Sequence, residues 1–310
     1  MTKYIVSGYI GFNNFGDEAI ARVLVEQLQN SGAEKITLIS SNPEKTKKLH
    51  NVNSCSMLGF LKPMTDADVL ISGGGSLLQD TTSLKSLIYY LLVINAALFM
   101  HKEVRIFAQG IGPINSFIGK TLTKYTLRHV HKISVRDKIS QELLKSWNIN
   151  SDLVQDPIFS INIEPKNSKG IVGIQLRKFQ GADNKFLETL ADEIISRFPN
   201  KKFEILSLQD AMDLEICRDF GSKLAQKGAQ EVEIINGMNI NDVFSRISNL
   251  EFLIAMRFHA SVVGIKSGVK TLAINYDPKV EKLAKEYNLP YINLDLNNRA
   301  NAFNKLISIN

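Results

Sequence analysis

Short apolar runs rich in Val and Ile alternate with longer stretches of helical periodicity along the whole chain. In the first half the strand-like runs fall at 4–7, 36–40, 69–72, 104–108 and 132–135, with helical windows at 18–30, 77–100 and 138–147. Near-continuous apolar strands are expected where both faces of a sheet are covered. Strand–helix alternation then predicts βαβ units and a parallel, doubly wound sheet. The pattern fades over 159–169, where Pro, Asn, Ser and Lys cluster without periodicity, which predicts a linker. It resumes with strands at 170–176, 203–207, 231–235, 251–255 and 271–274 and helices at 184–198, 211–227, 240–248 and 258–267. No repeat of fixed period links the halves. The predicted class is α/β: two Rossmann-like domains with parallel sheets, over 1–160 and 161–310, and a cleft between them. Open sheets of this kind bind ligands beyond the carboxyl ends of their strands.

The most apolar stretch, 86–100, carries Asn95 inside it. It falls short of the ~20 residues that span a bilayer, so it reads as a buried domain helix rather than an interfacial one. Met1-Thr2-Lys3 runs straight into Tyr4-Ile5-Val6-Ser7-Gly8, leaving no room for the apolar region of a secretory signal. A cytoplasmic protein is expected, with loose association at the inner membrane face left open. A chain of 310 residues is long enough for two domains.

Thirty-seven basic against 31 acidic residues give a charge of +6, with no basic run longer than the pairs Lys47-Lys48 and Lys201-Lys202. A nucleic-acid stripe would be denser and interleaved with aromatics, so no nucleic-acid partner is expected. The surplus suits a small anionic substrate or an anionic membrane face, and equally a plain solvated surface. Two cysteines, Cys55 and Cys217, cannot build a disulfide framework and lack the partners of a zinc site. They read as inert thiols in a reducing compartment.

If ligands bind beyond the strand ends, five positions matter. Gly8-Tyr9-Ile10-Gly11-Phe12-Asn13-Asn14-Phe15-Gly16-Asp17-Glu18 follows the first strand, but its glycine spacing is not the dinucleotide fingerprint. It is either a tight turn with acidic capping or a site where Asn14, Asp17 and Glu18 bond sugar hydroxyls. Ser72-Gly73-Gly74-Gly75-Ser76 offers backbone N–H groups to an anion or hydroxyl, or serves only close packing. Gln109-Gly110-Ile111-Gly112-Pro113 is a similar rim turn, where Gln109 bonds either a ligand or its own loop. At Arg136-Asp137 and at Gln175-Leu176-Arg177 a guanidinium ends a strand, fit for a carboxylate or phosphate or for a surface ion pair; Asp137 reads as a helix cap. Arg257-Phe258-His259 puts a cation and an imidazole two residues apart, on the same side if the chain is extended there. Lys279, after Asn275-Tyr276-Asp277-Pro278, adds a further cation.

These stretches together resemble the polysaccharide pyruvyl transferase family. The resemblance rests on the motif from Gly8, Ser-Gly-Gly-Gly-Ser-Leu-Leu-Gln-Asp from Ser72, Gln-Gly-Ile-Gly-Pro from Gln109, Ser-Val-Arg-Asp from Ser134, Gly-Ile-Gln-Leu-Arg from Gly173, Met-Arg-Phe-His-Ala from Met256 and Tyr-Asp-Pro-Lys-Val from Tyr276. Each is weak alone; in this order over nearly the whole chain they are specific. The resemblance implies a glycosyltransferase-B-like fold and an enzyme that moves pyruvate from phosphoenolpyruvate onto two hydroxyls of a sugar as a cyclic ketal, releasing phosphate. It implies an acceptor-binding N-terminal domain and a phosphoenolpyruvate-binding C-terminal one. Arg177 and Arg257, with Lys279 and Arg136, would hold the donor, and His259 would be the general acid. Asp17 would orient or deprotonate an acceptor contacted by Asn14, Glu18, Gly74, Gly75 and Gln109. It implies no cofactor and no metal, and a glycan or lipid-linked saccharide as acceptor. The compact chain suggests shortened acceptor-binding loops. The same architecture also suits a nucleotide-sugar-dependent glycosyltransferase, and a non-catalytic sensor of a small anion is a third reading.

Overall fold

The structure, a computed structural model, describes residues 1–164, 166 and 170–308. It divides into two compact units, Met1–Ile161 and Asn162–Asn310. Of the predicted linker, Pro165, Asn167, Ser168 and Lys169 lie outside the described residues, and its first residues close a short 3-10 turn, Pro157–Ser160.

The first unit runs β1 (Lys3–Ser7), α1 (Phe15–Asn30), β2 (Lys35–Ser40), α2 (Pro43–His50), β3 (Asn53–Ser56), α3 (Leu61–Asp66), β4 (Val69–Gly73), α4 (Leu84–Phe99), β5 (Glu103–Gln109), α5 (Phe117–Leu127), β6 (Lys132–Val135), α6 (Lys138–Ser146) and β7 (Asp152–Leu153). Its strands form one parallel sheet in the order β3-β2-β1-β4-β5-β6-β7. The second unit runs β8 (Ile171–Gln175), α7 (Asn184–Arg197), β9 (Lys202–Leu206), α8 (Asp210–Gln226), β10 (Val232–Ile235), α9 (Ile240–Ser248), β11 (Phe252–Ala255), α10 (Phe258–Lys266), β12 (Lys270–Asn275), α11 (Pro278–Glu286), β13 (Tyr291–Asn293) and α12 (Arg299–Ser308). Its parallel order, β10-β9-β8-β11-β12-β13, repeats the plan of the first. In both units the winding reverses between the first and fourth strands, which is where a doubly wound sheet opens a crevice for ligand.

The long helices α1, α4, α7 and α8 are held to their sheets by apolar stripes. In α4 the stripe is Leu87, Tyr90, Leu91, Val93, Ile94 and Ala97, all buried. Burying one such large aliphatic or aromatic side chain stabilises by about 1.5–3 kcal/mol. This helix starts seven residues later than the apolar pattern predicts. The delay has a polar cause: the Ser83 hydroxyl accepts from the Ser86 amide and caps α4. Upstream, Asp80 is spent on the amides of Asn115 and Ser116, each 2.7 Å away, so residues 77–83 belong to the rim.

The edge strands β3, β7 and β13 and the helices α2, α3, α5, α11 and α12 have no counterpart in the sequence pattern. β3 and β7 are short, mostly polar and largely exposed, so alternation cannot mark them. No described helix is long and apolar enough to cross a membrane.

Candidate functional site

In the first unit, β1 and β4 are neighbours, so the loops after them meet. Asn14 caps α1, its side-chain oxygen accepting from the Gly16 amide at 3.1 Å. Asp17 lies against Gly75: a Cβ on Gly75, whose φ is +61°, would strike Asp17 Oδ1. Burial, and then the charge of nearby Asp17, raise the pKa of the Tyr90 phenol. Glu18 departs from its expected role at the surface. Its Oε1 accepts from the Gly11 amide at 2.7 Å and its Oε2 lies 3.0 Å from His50 Nε2, with both residues buried. It clamps the glycine-rich loop to the end of α2 and presents no carboxylate to a ligand.

Gln109 is fully buried at the end of β5, donating to Ser72 Oγ at 3.3 Å, while its Oε1 has no hydrogen-bond partner among the described residues. It is aimed there by an irregularity in the β5–β6 register between Ile106 and Gln109, where Ala108 adopts φ +45°. Such bulges re-aim side chains at sheet rims. Arg136 is engaged inside this unit: Nη1 donates to Asp156 at 2.9 Å and Nη2 to Ser76 Oγ at 3.1 Å, in a nearly buried ion pair. It tethers the rim loops, in place of the donor contact expected of it. Asp137 caps α6 through the Ser140 amide at 2.8 Å.

In the second unit the cationic candidates come together on three adjacent strands. Gln175, Ala255 and Ala273 stand at one level on β8, β11 and β12, so Arg177 and Arg257 each follow two residues later. Neighbouring strands lie about 4.8 Å apart. Arg177 reaches over the end of β11 to Tyr276: its Nη1 donates to the Tyr276 hydroxyl at 3.2 Å, and its guanidinium carbon stands 5.3 Å from the ring centroid. The Nε of Arg177 is buried without a hydrogen-bond partner among the described residues. His259 opens α10 one residue after Phe258, their rings edge to face at 5.1 Å. A helix N-terminus at a strand end favours anions. Lys279 sits in the first turn of α11, with its ammonium 3.6 Å from Asp277.

Arg257 is buried and already partnered. Its Nε donates to Asp213 Oδ2 at 2.7 Å, its Nη2 to Asp213 Oδ1 at 2.6 Å and to Gln209 at 3.1 Å, and its backbone amide to Gln175 Oε1 at 2.6 Å. Asp213 also accepts the amides of Leu208 and Gln209 at 3.2 and 3.1 Å. This network fixes the residue from which α10 starts, and with it His259. Asp213 carries no motif, yet it occupies the apolar stripe of α8 with Ile216, Cys217, Phe220 and Leu224. A carboxylate on such a stripe is the signal that would have found it, because a buried charge requires a partner. Burial pushes the Cys55 thiol up to about 11 and the Cys217 thiol up to about 12, which disfavours the nucleophilic thiolate of each.

A model of the family described as polysaccharide pyruvyl transferase matches residues 14–278, spanning both rims. The chain belongs to the polysaccharide pyruvyl transferase family. This pyruvyl transferase family member is therefore a transferase of polysaccharide synthesis. Among solved structures it is similar to Anabaena HepE in complex with UDP and glucose, at TM-score 0.67 and 10% identity, covering 100% of this chain and 90% of that one. A UDP-GlcNAc 2-epimerase from Neisseria meningitidis bound to UDP-GlcNAc aligns at TM-score 0.63 and 11% identity, over 99% and 92%. A glycosyltransferase from Rickettsia africae gives 0.63 at 12%, over 99% and 89%. At such identities the likeness is one of fold, and that fold is glycosyltransferase-B-like.

Proposed function

We propose that this transferase moves the pyruvyl group of phosphoenolpyruvate onto two hydroxyls of a glycan, as a cyclic ketal, with release of phosphate. The observation that carries the reading is the gathering of Arg177, Arg257, His259, Tyr276 and Lys279 over three adjacent strand ends, with a buried Arg177 Nε that has no hydrogen-bond partner among the described residues. Phosphoenolpyruvate bears a carboxylate and a phosphate, and a guanidinium fork matches either. Arg177 supplies net positive charge, and Lys279, which shares Asp277 at 3.6 Å, adds a further donor. Arg257, balanced by Asp213, offers the donor its remaining edge and anchors His259.

In the reaction, protonated His259 delivers its proton to the methylene carbon, leaving an oxocarbenium-like centre at the carbon bearing phosphate. One acceptor hydroxyl forms a C–O bond there and gives up its proton. The C–O bond to phosphate then breaks, and the second hydroxyl closes the ketal. Of the two protons released by the hydroxyls, one restores His259 and one leaves with phosphate. General acid catalysis contributes about 10²–10⁴-fold, and the cations stabilise the charge on the departing phosphate. On the first unit, Asp17 orients the acceptor or takes its proton, Asn14 and the backbone at Gly74 and Gly75 bond its hydroxyls, and the buried Gln109 holds the rim through Ser72. The donor is a substrate, so the chemistry calls for no resident cofactor or metal. The acceptor is a free or lipid-linked saccharide on the cytoplasmic side.

The test is incubation with phosphoenolpyruvate and a panel of glycans, reading phosphate release and the mass of a pyruvate ketal. His259→Ala is expected to abolish both while leaving the unfolding midpoint in place. Normal turnover in that variant would remove the proposed acid. Stabilisation by UDP or GDP but not by phosphoenolpyruvate would instead identify a nucleotide-sugar glycosyltransferase, and binding without turnover a sensor.

A further inference from the structure

The helices α3, α4 and α5 each follow a crossover in the same direction along the first sheet, so they cover one face of it. The outer side of α4 should be polar on a water-exposed surface. Instead Leu92 is 60% and Phe99 85% exposed, one above the other at a spacing of seven. On α5, Ile118, Leu122 and Tyr125 form a stripe at 60%, 42% and 62% exposure, and Phe117 at its first turn is 84% exposed. The two stripes adjoin, because Asn95 of α4 donates to Thr126 Oγ1 of α5 at 2.8 Å. Phe99 and Tyr125 line one concavity of about 600 Å³. The loop before α3 adds Leu58, 88% exposed, tied to α4 by the Tyr89 hydroxyl donating to Met57 O. A monomer in water seldom gathers so many large apolar side chains on one face.

The charges carried by α4 and α5 themselves are of one sign. No Asp or Glu occurs between residues 81 and 102 or between 114 and 136. Lys120, Lys124 and Arg128 run along the outer flank of α5, Lys85 begins the exposed side of α4, and Lys102 borders the concavity at its end. The nearest acids by sequence are both engaged: the Asp80 carboxylate bonds the Asn115 and Ser116 amides, and Glu103 pairs with Arg105 at 2.6 Å. Apolar stripes flanked by cations, without anions, are the composition of helices that lie in a lipid interface.

We infer that the α4–α5 face of the first unit docks this protein onto an anionic lipid bilayer, with Leu92, Phe99, Phe117, Ile118, Leu122 and Tyr125 entering the headgroup–acyl boundary and the flanking Lys and Arg meeting the headgroups. The surface adjoins the acceptor rim of the first unit. The segment that leaves Gln109 on the rim leads directly into Phe117, so α5 joins the acceptor rim to the proposed membrane face. The inference does not depend on the donor being phosphoenolpyruvate, and its test does not read activity.

The experiment is co-sedimentation of the full chain with phosphatidylcholine vesicles, with and without about one-third phosphatidylglycerol, at low and raised salt. Strong binding to the anionic vesicles, weakened by salt, is expected. Phe99→Ser with Phe117→Ser should lower partitioning at least tenfold, and Lys120→Glu with Lys124→Glu should erase the anionic preference, at about fivefold for each charge lost. Both variants change exposed or half-buried side chains, and an unaltered unfolding midpoint confirms that they fold. Failure of the parent to sediment with either vesicle overturns the inference, as does binding that both variants retain. Light scattering gives a further refuting outcome: a dimer that Phe99→Ser dissociates would show that a second copy covers this face.

Discussion

The Asp213–Arg257 pair invites a quantitative test. Asp213 is fully buried and takes the Nε and Nη2 of Arg257 at 2.7 and 2.6 Å together with two backbone amides. Asp213→Asn keeps the volume but replaces one acceptor oxygen with a donor, which must face either Arg257 Nη2 or the cluster of Arg257 Nε and the two amides. It also leaves the Arg257 guanidinium buried without a counter-charge. Removing one partner of such a pair costs about 3–5 kcal/mol, and the Gln209 oxygen that Arg257 keeps places the expected value at the lower end. With a urea m value of about 2 kcal/mol per molar, the unfolding midpoint of the second unit falls by about 1.5 M. Activity should fall with it, because Arg257 holds the start of α10. A double variant, Asp213→Leu with Arg257→Met, should regain most of the stability and none of the activity, since replacing both members of a buried pair by apolar groups is often neutral. A shift for Asp213→Asn of less than about 0.5 kcal/mol, the range of an ordinary surface change, would refute the claim that this carboxylate organises the site.

Gly264 lies where α10 crosses β11 and β12, and a Cβ there would strike Thr271 Oγ1 and sit 2.9 Å from Leu253 Cδ2. Alanine gains about 1 kcal/mol in helix propensity but overpacks the contact by about 1–3 kcal/mol, so Gly264→Ala should lower both urea stability and kcat; equal or greater stability would show the contact is loose. The Asp80 carboxyl is held below the usual carboxylate range, first by the Ser116 side chain and then by the Asn115 and Ser116 amides. A depressed native pKa stabilises above the unfolded value of about 3.9 and is lost as pH falls through the native one. The parent's thermal midpoint should therefore drop more steeply than that of Asp80→Asn below about pH 4, and parallel curves would exclude the linkage.

The doubly wound plan was legible because both sheets are buried on two faces, so strand cores such as Val69-Leu70-Ile71 and Phe252–Ala255 appear as unbroken apolar runs, with the strand at 203–206 an exception. Strand ends could be located, and with them Arg177, Arg257 and His259. What the sequence did not disclose was how each polar group is used. Glu18 and Arg136 look like rim residues available to a ligand, yet their partners His50 and Asp156 lie 32 and 20 positions away, beyond any local pattern. Asp213 was invisible for the same reason: its meaning depends on a guanidinium 44 residues downstream. The start of α4 was misplaced because apolar periodicity runs through Leu77 and Leu78, both buried, before the helix begins.

The fork that Asp213 makes with Arg257 sets a rule for anyone wishing to retune this enzyme toward another donor. A mutant library confined to the visible rim would vary one end of a coupled pair and mostly return misfolded clones. Helix α8 has to be diversified in step with the Arg-Phe-His segment, so that charge and countercharge are exchanged as a unit and the imidazole keeps its anchorage.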